Sequence, residues 1–244
     1  MKEAIQFSGG KDSLALLYLM RPRLKDVPVY FADSGMVYPH VATFIERTCD
    51  KLGATLRIVK PPEPIEEFQK REGLPADIVP VEASIMMRPY VKAKPGPLIQ
   101  ASISCCARMV WEPMQQAMAA DGIKIIYRGS KARDRHVGVA DGFVADGVTY
   151  RSPLWDWTDD MVFAYLRSVS AELPAHYTEV NNSFDCLYCT AFLNHQNAES
   201  RLAWTRAHYP EAWPKLAGRL GVVRKMLVQE IAEISKSLSL EKLE

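Results

Sequence analysis

The chain has 244 residues, of which 48% are hydrophobic and 24% are charged, a composition typical of folded globular proteins and too apolar for a disordered chain. Thirty Lys and Arg against 29 Asp and Glu give a formal net charge of +1, which excludes a uniformly basic nucleic-acid-binding coat but allows a local basic site. No apolar run approaches the roughly 20 residues of a membrane span, so the sequence predicts a cytoplasmic protein with no signal peptide and no membrane association.

The amino-terminal part alternates short apolar runs with helical patterns. A glycine-rich turn follows the first run, and a buried helix starts directly after that turn. The predicted strands are Ala4–Phe7, Pro28–Ala32 and Thr55–Val59, and a further helix is predicted over Val41–Leu52. Strands that alternate with helices at this spacing predict a parallel sheet covered on both faces.

The rest of the chain is less regular at first and then helical. The stretch from Lys60 to Pro97 is rich in proline, and we expect it to be irregular with one short helix near Ile65–Arg71. The later predicted elements are a helix from about Ser104 that Pro113 bends or breaks, a strand over Ile123–Tyr127, a hairpin over Phe143–Arg151, a helix from Thr158 to about Ser168, and helices from about Asn197 onward. The fold class is therefore α/β, with a mostly parallel twisted sheet in residues 1–192 and a helical extension in residues 193–244.

A phosphate-binding loop is predicted between the first strand and the first helix. Its residues are Ser8, Gly9, Gly10, Lys11, Asp12 and Ser13. Glycines let backbone N–H groups approach an anion, and the helix amino terminus adds the positive end of its dipole. The serines would add hydroxyl donors, Lys11 a cation, and Asp12 a ligand for Mg²⁺ or an orienting group. The pattern differs from the G-x-x-x-x-G-K-[ST] loop.

Four of the five cysteines form a spaced set. Cys105 and Cys106 are adjacent, and Cys186 and Cys189 form a C-x-x-C motif far downstream. Thiolates bind structural zinc and iron–sulfur clusters, and adjacent cysteines suit a cluster of several irons better than one tetrahedral ion. A helix amino terminus at the adjacent pair would favour thiolates. The alternative is that these cysteines are buried small apolar residues, which is what we expect of Cys49.

Two segments after predicted strands supply further polar residues. Asp33, Ser34 and Gly35 end the second strand, at the sheet edge where open α/β sheets bind ligands, so they are candidates for nucleoside contacts. The other segment is basic and contains Arg128, Lys131, Arg133 and Arg135. Guanidinium groups suit phosphate oxygens, although a solvated loop would have the same composition.

The loop and the cysteine set resemble known families. Ser8–Ser13 resembles the S-G-G-x-D-S pyrophosphate loop of the ATP pyrophosphatase (adenine nucleotide α-hydrolase-like) superfamily, whose members split ATP into AMP and pyrophosphate and usually adenylate a substrate. The cysteine spacing resembles the [4Fe–4S] ligand set of adenylyl-sulfate reductases in the phosphoadenylyl-sulfate reductase family. Segments similar to that family occur in its order at Asp33–Pro39, Cys105–Met114 and Pro153–Thr158, so the resemblance runs from about residue 3 to about residue 192.

The resemblance implies roles for these residues, with two departures from the reductases. Reductases of the family act through a cysteine in a carboxyl-terminal E-C-G-[LI]-H motif, whereas this sequence has no cysteine after Cys189. Their loop also tends to be degenerate, whereas Ser8–Ser13 is intact, as in the ATP-using relatives. Both departures favour ATP use over sulfonucleotide reduction.

The resulting hypothesis is a [4Fe–4S] enzyme that cleaves ATP with Mg²⁺ and adenylates an acceptor in sulfur metabolism or nucleic-acid modification. Gly9, Gly10 and Lys11 would bind pyrophosphate, Asp33 and Ser34 the nucleoside, and Arg128, Arg133 and Arg135 the anionic end. Lys11, Asp12, Arg133 and Arg135 are the predicted catalytic residues. A sulfur or electron donor protein is a candidate partner, nucleic acid a candidate acceptor, and a homo-oligomer the expected assembly.

Two alternatives stay open at this point. The first is a reductase of adenylyl sulfate or phosphoadenylyl sulfate whose attacking thiol comes from another molecule or from Cys49. The second is a non-catalytic nucleotide-binding subunit that binds a partner through its carboxyl-terminal helices.

Overall fold

The computed structural model describes residues 1–80, 98–134, 140–193 and 197–238. Its contacts divide the chain into two units, and each unit is built from two separate stretches of sequence. The first unit comprises residues 1–61 and 110–185, and the second comprises residues 62–109 and 186–244. The predicted division into an α/β domain over residues 1–192 and a helical extension over residues 193–244 stays a prediction.

The first unit contains a six-stranded sheet with four helices. Its strands are β1 (Lys2–Gln6), β2 (Val29–Ala32), β3 (Leu56–Val59), β6 (Ile123–Tyr127), β7 (Val144–Ala145) and β8 (Val148–Arg151), and its helices are α1 (Lys11–Leu19), α2 (Pro39–Leu52), α5 (Glu112–Ala120) and α6 (Asp159–Ser168). The spatial order is β3-β2-β1-β6-β8-β7. Every neighbouring pair is parallel except β7 and β8, which confirms the predicted α/β fold with a mostly parallel sheet.

One part of the core of this unit lies between the sheet and α5. Ala4 in β1, Tyr30 in β2 and Ile126 in β6 form one buried cluster with Met114 and Met118 of α5. Because β1 is central, both of its faces are covered, and Ala4 and Ile5 are fully buried. This is why the two adjacent residues Ala4 and Ile5, which point to opposite faces of the sheet, are both apolar.

The predicted hairpin and helix cap are present. Asp146 and Gly147 both have positive φ angles, 49° and 70°, and such a two-residue turn matches the twist of antiparallel strands. The hydroxyl of Thr158 accepts a hydrogen bond from the backbone N–H of Met161, so Thr158 caps α6 as predicted. Helix α2 ends at Gly53, which takes the left-handed conformation that glycine adopts without strain.

In the described residues, the second unit contains a small parallel sheet and four α-helices. Its elements are β4 (Leu74–Ala76), β5 (Ile99–Ala101), α3 (Ile65–Glu72), α4 (Ser102–Cys106), α7 (Ala198–His208) and α8 (Trp213–Leu238). Ala76 and Ile99 are buried against Val223 of α8. The short helix predicted near Ile65 and the helical carboxyl-terminal part are confirmed, whereas the sequence analysis missed β4, a three-residue strand that contains Pro75.

The helix that carries the adjacent cysteines differs from the prediction. Helix α4 begins at Ser102, two residues before the predicted start, so Cys105 and Cys106 are its fourth and fifth residues. A π-helical segment, Ala107–Trp111, follows it, and α5 begins with Glu112 and Pro113. The chain stays helical from Ser102 to Ala120, so Pro113 does not break it, and the irregularity is the π-helical segment directly before this proline. The influence of the helix amino terminus on the cysteine pair stays a prediction. In the residues that the structure describes, no helix is long and apolar enough to cross a membrane.

Candidate nucleotide site and four-cysteine set

The predicted nucleotide-binding segments meet at the carboxyl edge of the first unit's sheet. Strands β2, β1 and β6 are parallel neighbours, so the segments that follow them emerge at the same edge. These segments are Ser8–Ser13 after β1, Asp33–Gly35 after β2 and Arg128–Asp134 after β6. Ligands bind at this edge in open α/β sheets.

The glycine turn between β1 and α1 is closely packed. Gly9 has φ +81°, and a Cβ on it would lie 2.9 Å from Cγ1 of Val41. The Ser13 hydroxyl donates to the carbonyl of Gly10 at 3.0 Å and accepts from the N–H of Ser8 at 3.3 Å. The Ser13 hydroxyl therefore closes the loop, and its direct contact with a nucleotide stays a prediction.

A second glycine brings the β6 segment against α1. A Cβ on Gly129 would lie 2.7 Å from the carbonyl carbon of Asp12 and from the backbone nitrogen of Ser13. No side chain fits there, so this glycine lets the basic segment contact the first turn of the helix. The sequence analysis did not single out Gly129.

Two lysines and three carboxylates form a cluster at the start of α1. The Lys11 ammonium lies 2.9 Å from an oxygen of Asp12 and 3.2 Å from an oxygen of Asp159. Lys131 lies 2.5 Å from Asp12, 3.0 Å from Asp134 and 3.1 Å from Asp159. Burial lowers the pKa of Lys131, but its hydrogen bonds and charge interactions with Asp12 and Asp134 outweigh this effect and raise the pKa overall.

This cluster can exchange partners when a nucleotide binds. Phosphate oxygens would compete with the carboxylates for the two ammonium groups, and Mg²⁺ would accept a released carboxylate together with phosphate oxygens. Asp159 and Asp134 were missed as site residues by the sequence analysis. Asp159 follows the Thr158 cap in the first turn of α6, where acidic residues are common, so its position in the sequence gives no signal of a site.

Tyr177 binds the amino terminus of α1. Its hydroxyl accepts a hydrogen bond from the backbone N–H of Lys11 at 3.0 Å, and it would lie 3.7 Å from a Cβ on Gly10. Burial raises the pKa of Tyr177, so the phenol stays protonated. The backbone N–H of Lys11, one donor of the predicted phosphate-binding loop, therefore already has a hydrogen-bond partner within the protein. No sequence motif pointed to this tyrosine.

A buried aromatic cluster adjoins Tyr177. His176 is 1% exposed and stacks on Phe184 with ring centroids 4.2 Å apart. Its Nδ1 lies 2.8 Å from Nε2 of His40. Burial, together with the charge of His40, lowers the pKa of His176 to about 4, so it is neutral near pH 7.

The residues predicted to bind the nucleoside lie in a turn after β2, and the described basic residues follow β6. Asp33 accepts the N–H of Gly35 at 2.9 Å, and the buried Ser34 accepts that of Met36 at 3.3 Å, which makes this segment a tight turn. Arg128 is half-buried, burial lowers its pKa, and no carboxylate in the described part of the chain pairs with it. Arg133 is exposed, and Arg135 lies outside the described residues.

The four cysteines of the predicted metal set all belong to the second unit. Cys105 is buried and accepts a hydrogen bond from the Gln69 amide at 3.4 Å. Burial raises the pKa of Cys105, and Cys189 is close enough to interact with it electrostatically. Cys105, Cys186 and Cys189 also interact electrostatically with Arg219 of α8. Residues 190–193, which follow the C-x-x-C motif, are tied to β4 by the Thr190 hydroxyl, which donates to Pro75.

The fifth cysteine lies apart in α2. Cys49 is fully buried, and burial raises its pKa to about 12. Since the thiolate is the reactive form, this residue is inert as a nucleophile. This agrees with the prediction that it is a core residue.

Within residues 1–80, 98–134, 140–193 and 197–238, no three side chains of His, Cys, Asp or Glu are grouped so that they could hold a metal ion. The donors of the cysteine set are nevertheless all thiols, which are the ligands of iron–sulfur clusters. In a cluster of several irons, neighbouring thiolates bind different metal atoms, so three donors need not converge on one point.

Comparison with known proteins gives one family. A profile described as "Phosphoadenosine phosphosulfate reductase domain" matches residues 2–192. A phosphoadenosine 5'-phosphosulfate reductase from Xanthomonas oryzae pv. oryzae is 25% identical over 181 residues, which are 71% of this chain and 64% of that protein. Sulfate adenylyltransferase subunit 2 from Streptomyces lavendulae is 26% identical over 194 residues, 72% of this chain and 56% of that protein. The matches thus span less than two thirds of these relatives.

A solved structure shares the fold. The crystal structure of phosphoadenylyl-sulfate reductase from Candida auris, a phosphate complex, aligns with a TM-score of 0.50 and 19% identity, and the alignment covers 71% of this chain and 75% of that one. At this identity the likeness concerns the fold alone.

Proposed function

Because the chain belongs to the phosphoadenosine phosphosulfate reductase domain family, we propose that it is a nucleotide-binding enzyme that cleaves ATP between the α- and β-phosphates and adenylates an acceptor. The observation that carries this proposal is the intact Ser8–Ser13 loop. Its glycine turn, the α1 amino terminus and the ammonium groups of Lys11 and Lys131 lie together at the ligand-binding edge of the sheet.

The proposed reaction is an in-line transfer. An oxygen of the acceptor attacks the α-phosphorus of ATP, the bond from that phosphorus to the bridging oxygen breaks, and pyrophosphate leaves as the acceptor loses a proton. The loop N–H groups and Lys11 stabilise the charge that develops on pyrophosphate. Asp12, released from Lys11 and Lys131, would bind Mg²⁺, while Asp33 and Ser34 would contact the nucleoside and Arg128, Arg133 and Arg135 the anionic end.

The same proposal includes a [4Fe–4S] cluster in the second unit. Cys105, Cys106, Cys186 and Cys189 would hold it, and their thiol chemistry and their shared surroundings support this assignment. When bound, such a cluster supplies a group that can take up or release one electron. The acceptor class is a nucleic acid or a small metabolite of sulfur metabolism, and the expected setting is a cytoplasmic homo-oligomer served by a sulfur or electron donor protein.

A second candidate is reduction of a sulfonucleotide with an external thiol. The Xanthomonas relative named for that activity favours it. The inert environment of Cys49 argues against the version in which this chain's own free cysteine attacks the sulfate. A thiol from a second protein or a small molecule would be needed as the nucleophile.

The test is an anaerobic assay with ATP labelled in the α-phosphate and a panel of nucleic acids and sulfur donors. We expect pyrophosphate release and an AMP-linked product. Lys11→Gln should weaken ATP binding at least about tenfold, the effect of losing one charge-assisted contact. The matched control is Lys124→Gln, an exposed lysine on β6, which should bind ATP as the wild type does.

Three outcomes decide between the candidates. Sulfite production from adenylyl sulfate and a thiol, without pyrophosphate release from ATP, would establish the reductase instead. Tight ATP binding without turnover on any acceptor would favour a nucleotide-binding subunit. Equal ATP affinity in the Lys11 and Lys124 variants would remove the loop from the nucleotide site.

A further inference from the structure

Helix α8 lies beyond the region that matches the family, and it contacts the C-x-x-C loop through two cations. Arg219 donates from Nε to the backbone carbonyl of Tyr188 at 3.1 Å. One turn earlier, the Lys215 ammonium lies 4.4 Å from the centre of the Tyr188 ring. Tyr188, one of the two residues between Cys186 and Cys189, is thus held by its carbonyl and by its ring.

Arg219 also reaches the adjacent-cysteine segment through a buried amide. Its Nη2 donates to Oε1 of Gln69 in α3, and the Gln69 amide nitrogen donates to Sγ of Cys105 at 3.4 Å. Gln69 is 5% exposed. One guanidinium therefore connects the two chain segments that carry the cysteines, directly at Tyr188 and through one side chain at Cys105.

The packing of α8 fixes the rotation of this helix about its own axis, and this rotation determines where Arg219 points. Leu216 and Val223 are buried, and Val223 packs against Ala76 and Ile99 of the small sheet. Arg219 lies between them in the helical repeat, at a spacing that places it on or beside the same face. Lys215 is in turn paired with Glu66 of α3.

The Tyr188 carbonyl and Gln69 accept hydrogen bonds from Arg219 but do not balance its positive charge. Burial lowers the pKa of Arg219, so it is a cost to the fold unless negative charge compensates it. Glu66 supplies part of that charge, but Glu66 is already paired with Lys215. Thiolates that carry a metal cluster would supply the remainder.

We propose that Arg219 is a positioning residue of the four-cysteine centre, which balances the negative charge of its thiolates and orients both ligand segments through Tyr188 and Gln69. The proposal rests on the cluster assigned under the proposed function and extends the centre into α8. Outer-shell partners of this kind typically contribute 10–100-fold to metal retention.

The experiment compares anaerobically reconstituted wild type with Arg219→Gln, Arg219→Lys and Arg224→Gln. Arg224 is exposed on the same helix and serves as the matched control. The readouts are iron and sulfide per chain, the rate at which an iron chelator removes the cluster, and the midpoint potential from a spectroelectrochemical titration.

We expect Arg219→Gln to lose its cluster to the chelator at least about tenfold faster than the control and to have a lower midpoint potential, because an electron is harder to add without the nearby cation. Arg219→Lys keeps the charge but loses part of the contact network. It should keep the wild-type midpoint potential and lose the cluster at an intermediate rate. If the glutamine variant does not fold, the lysine variant still tests whether the charge sets the potential.

The outcomes separate this inference from the proposed function. A wild-type protein that binds zinc or no metal overturns the cluster and this inference together. A loaded wild type with Arg219→Gln indistinguishable from Arg224→Gln overturns the role of Arg219 alone. A potential lowered equally in the lysine and glutamine variants overturns the charge-balancing role.

Discussion

At the scale of single residues, Tyr177 occupies one hydrogen-bond donor of the predicted phosphate-binding loop. Its hydroxyl accepts the Lys11 N–H, which a pyrophosphate would also need. We expect Tyr177→Phe to bind pyrophosphate about fivefold more tightly, since a competing hydrogen bond of about 1 kcal/mol is removed. Titration calorimetry with pyrophosphate measures this. Tyr165→Phe, in α6, is the control, and weaker binding in Tyr177→Phe would show that the phenol contributes to the site.

His176 predicts a dependence of stability on pH. Its pKa of about 4 in the folded protein lies below the value near 6.5 of an unfolded chain. Between those values the unfolded state binds a proton that the folded state does not. Stability is therefore complete above about pH 6.5 and falls by about 3 kcal/mol as the pH approaches 4.

Denaturant titrations at several pH values between 7.5 and 4.5 check this. His176→Gln should be less stable at pH 7.5 but should show a flatter decline on acidification. His208→Gln, at an exposed position in α7, should retain the wild-type slope. An unchanged slope in His176→Gln would assign the acid sensitivity to other groups.

At the scale of elements, the contact between the β6 segment and α1 depends on Gly129. Gly129→Ala places a methyl group 2.7 Å from backbone atoms of Asp12 and Ser13. We expect a loss of about 2–3 kcal/mol in the free energy of unfolding, as for overpacked sites, together with weaker ATP binding.

Urea unfolding measures the first effect and calorimetry the second. Gly218→Ala is the control because a Cβ there meets nothing within 4 Å, and a helical alanine should stabilise by about 0.5–1 kcal/mol. A Gly129→Ala protein as stable as the wild type would mean that the two segments can separate.

Most of the helices and strands could be predicted from the sequence because the signals for them are local. The runs in β1, β2 and β6 and the cap at Thr158 each depend on a few adjacent residues. Strand β4 has no such signal, since it is three residues long and exists because β5 pairs with it and α8 covers it. The start of α4 at Ser102, two residues before the predicted one, has no local signal either.

At the scale of the whole molecule, the candidate site was predicted only where its residues are close in sequence. The loop at Ser8–Ser13 and the segment with Arg128 and Lys131 were found by pattern. Tyr177 and Asp159 join them only through the folded chain, as Arg219 joins the cysteines. The family match, over residues 2–192, stops before Arg219, so resemblance could not reveal it either.

Both units are discontinuous in sequence, and this has a consequence for synthesis. Strands β4 and β5 leave the ribosome long before Val223, the residue that buries Ala76 and Ile99. At translation speeds of about 5–20 residues per second, that interval lasts many seconds. During that time all residues of the first unit can be synthesised while α8 does not yet cover the small sheet. Cys105 and Cys106 are then present before Cys186 and Cys189 have been synthesised.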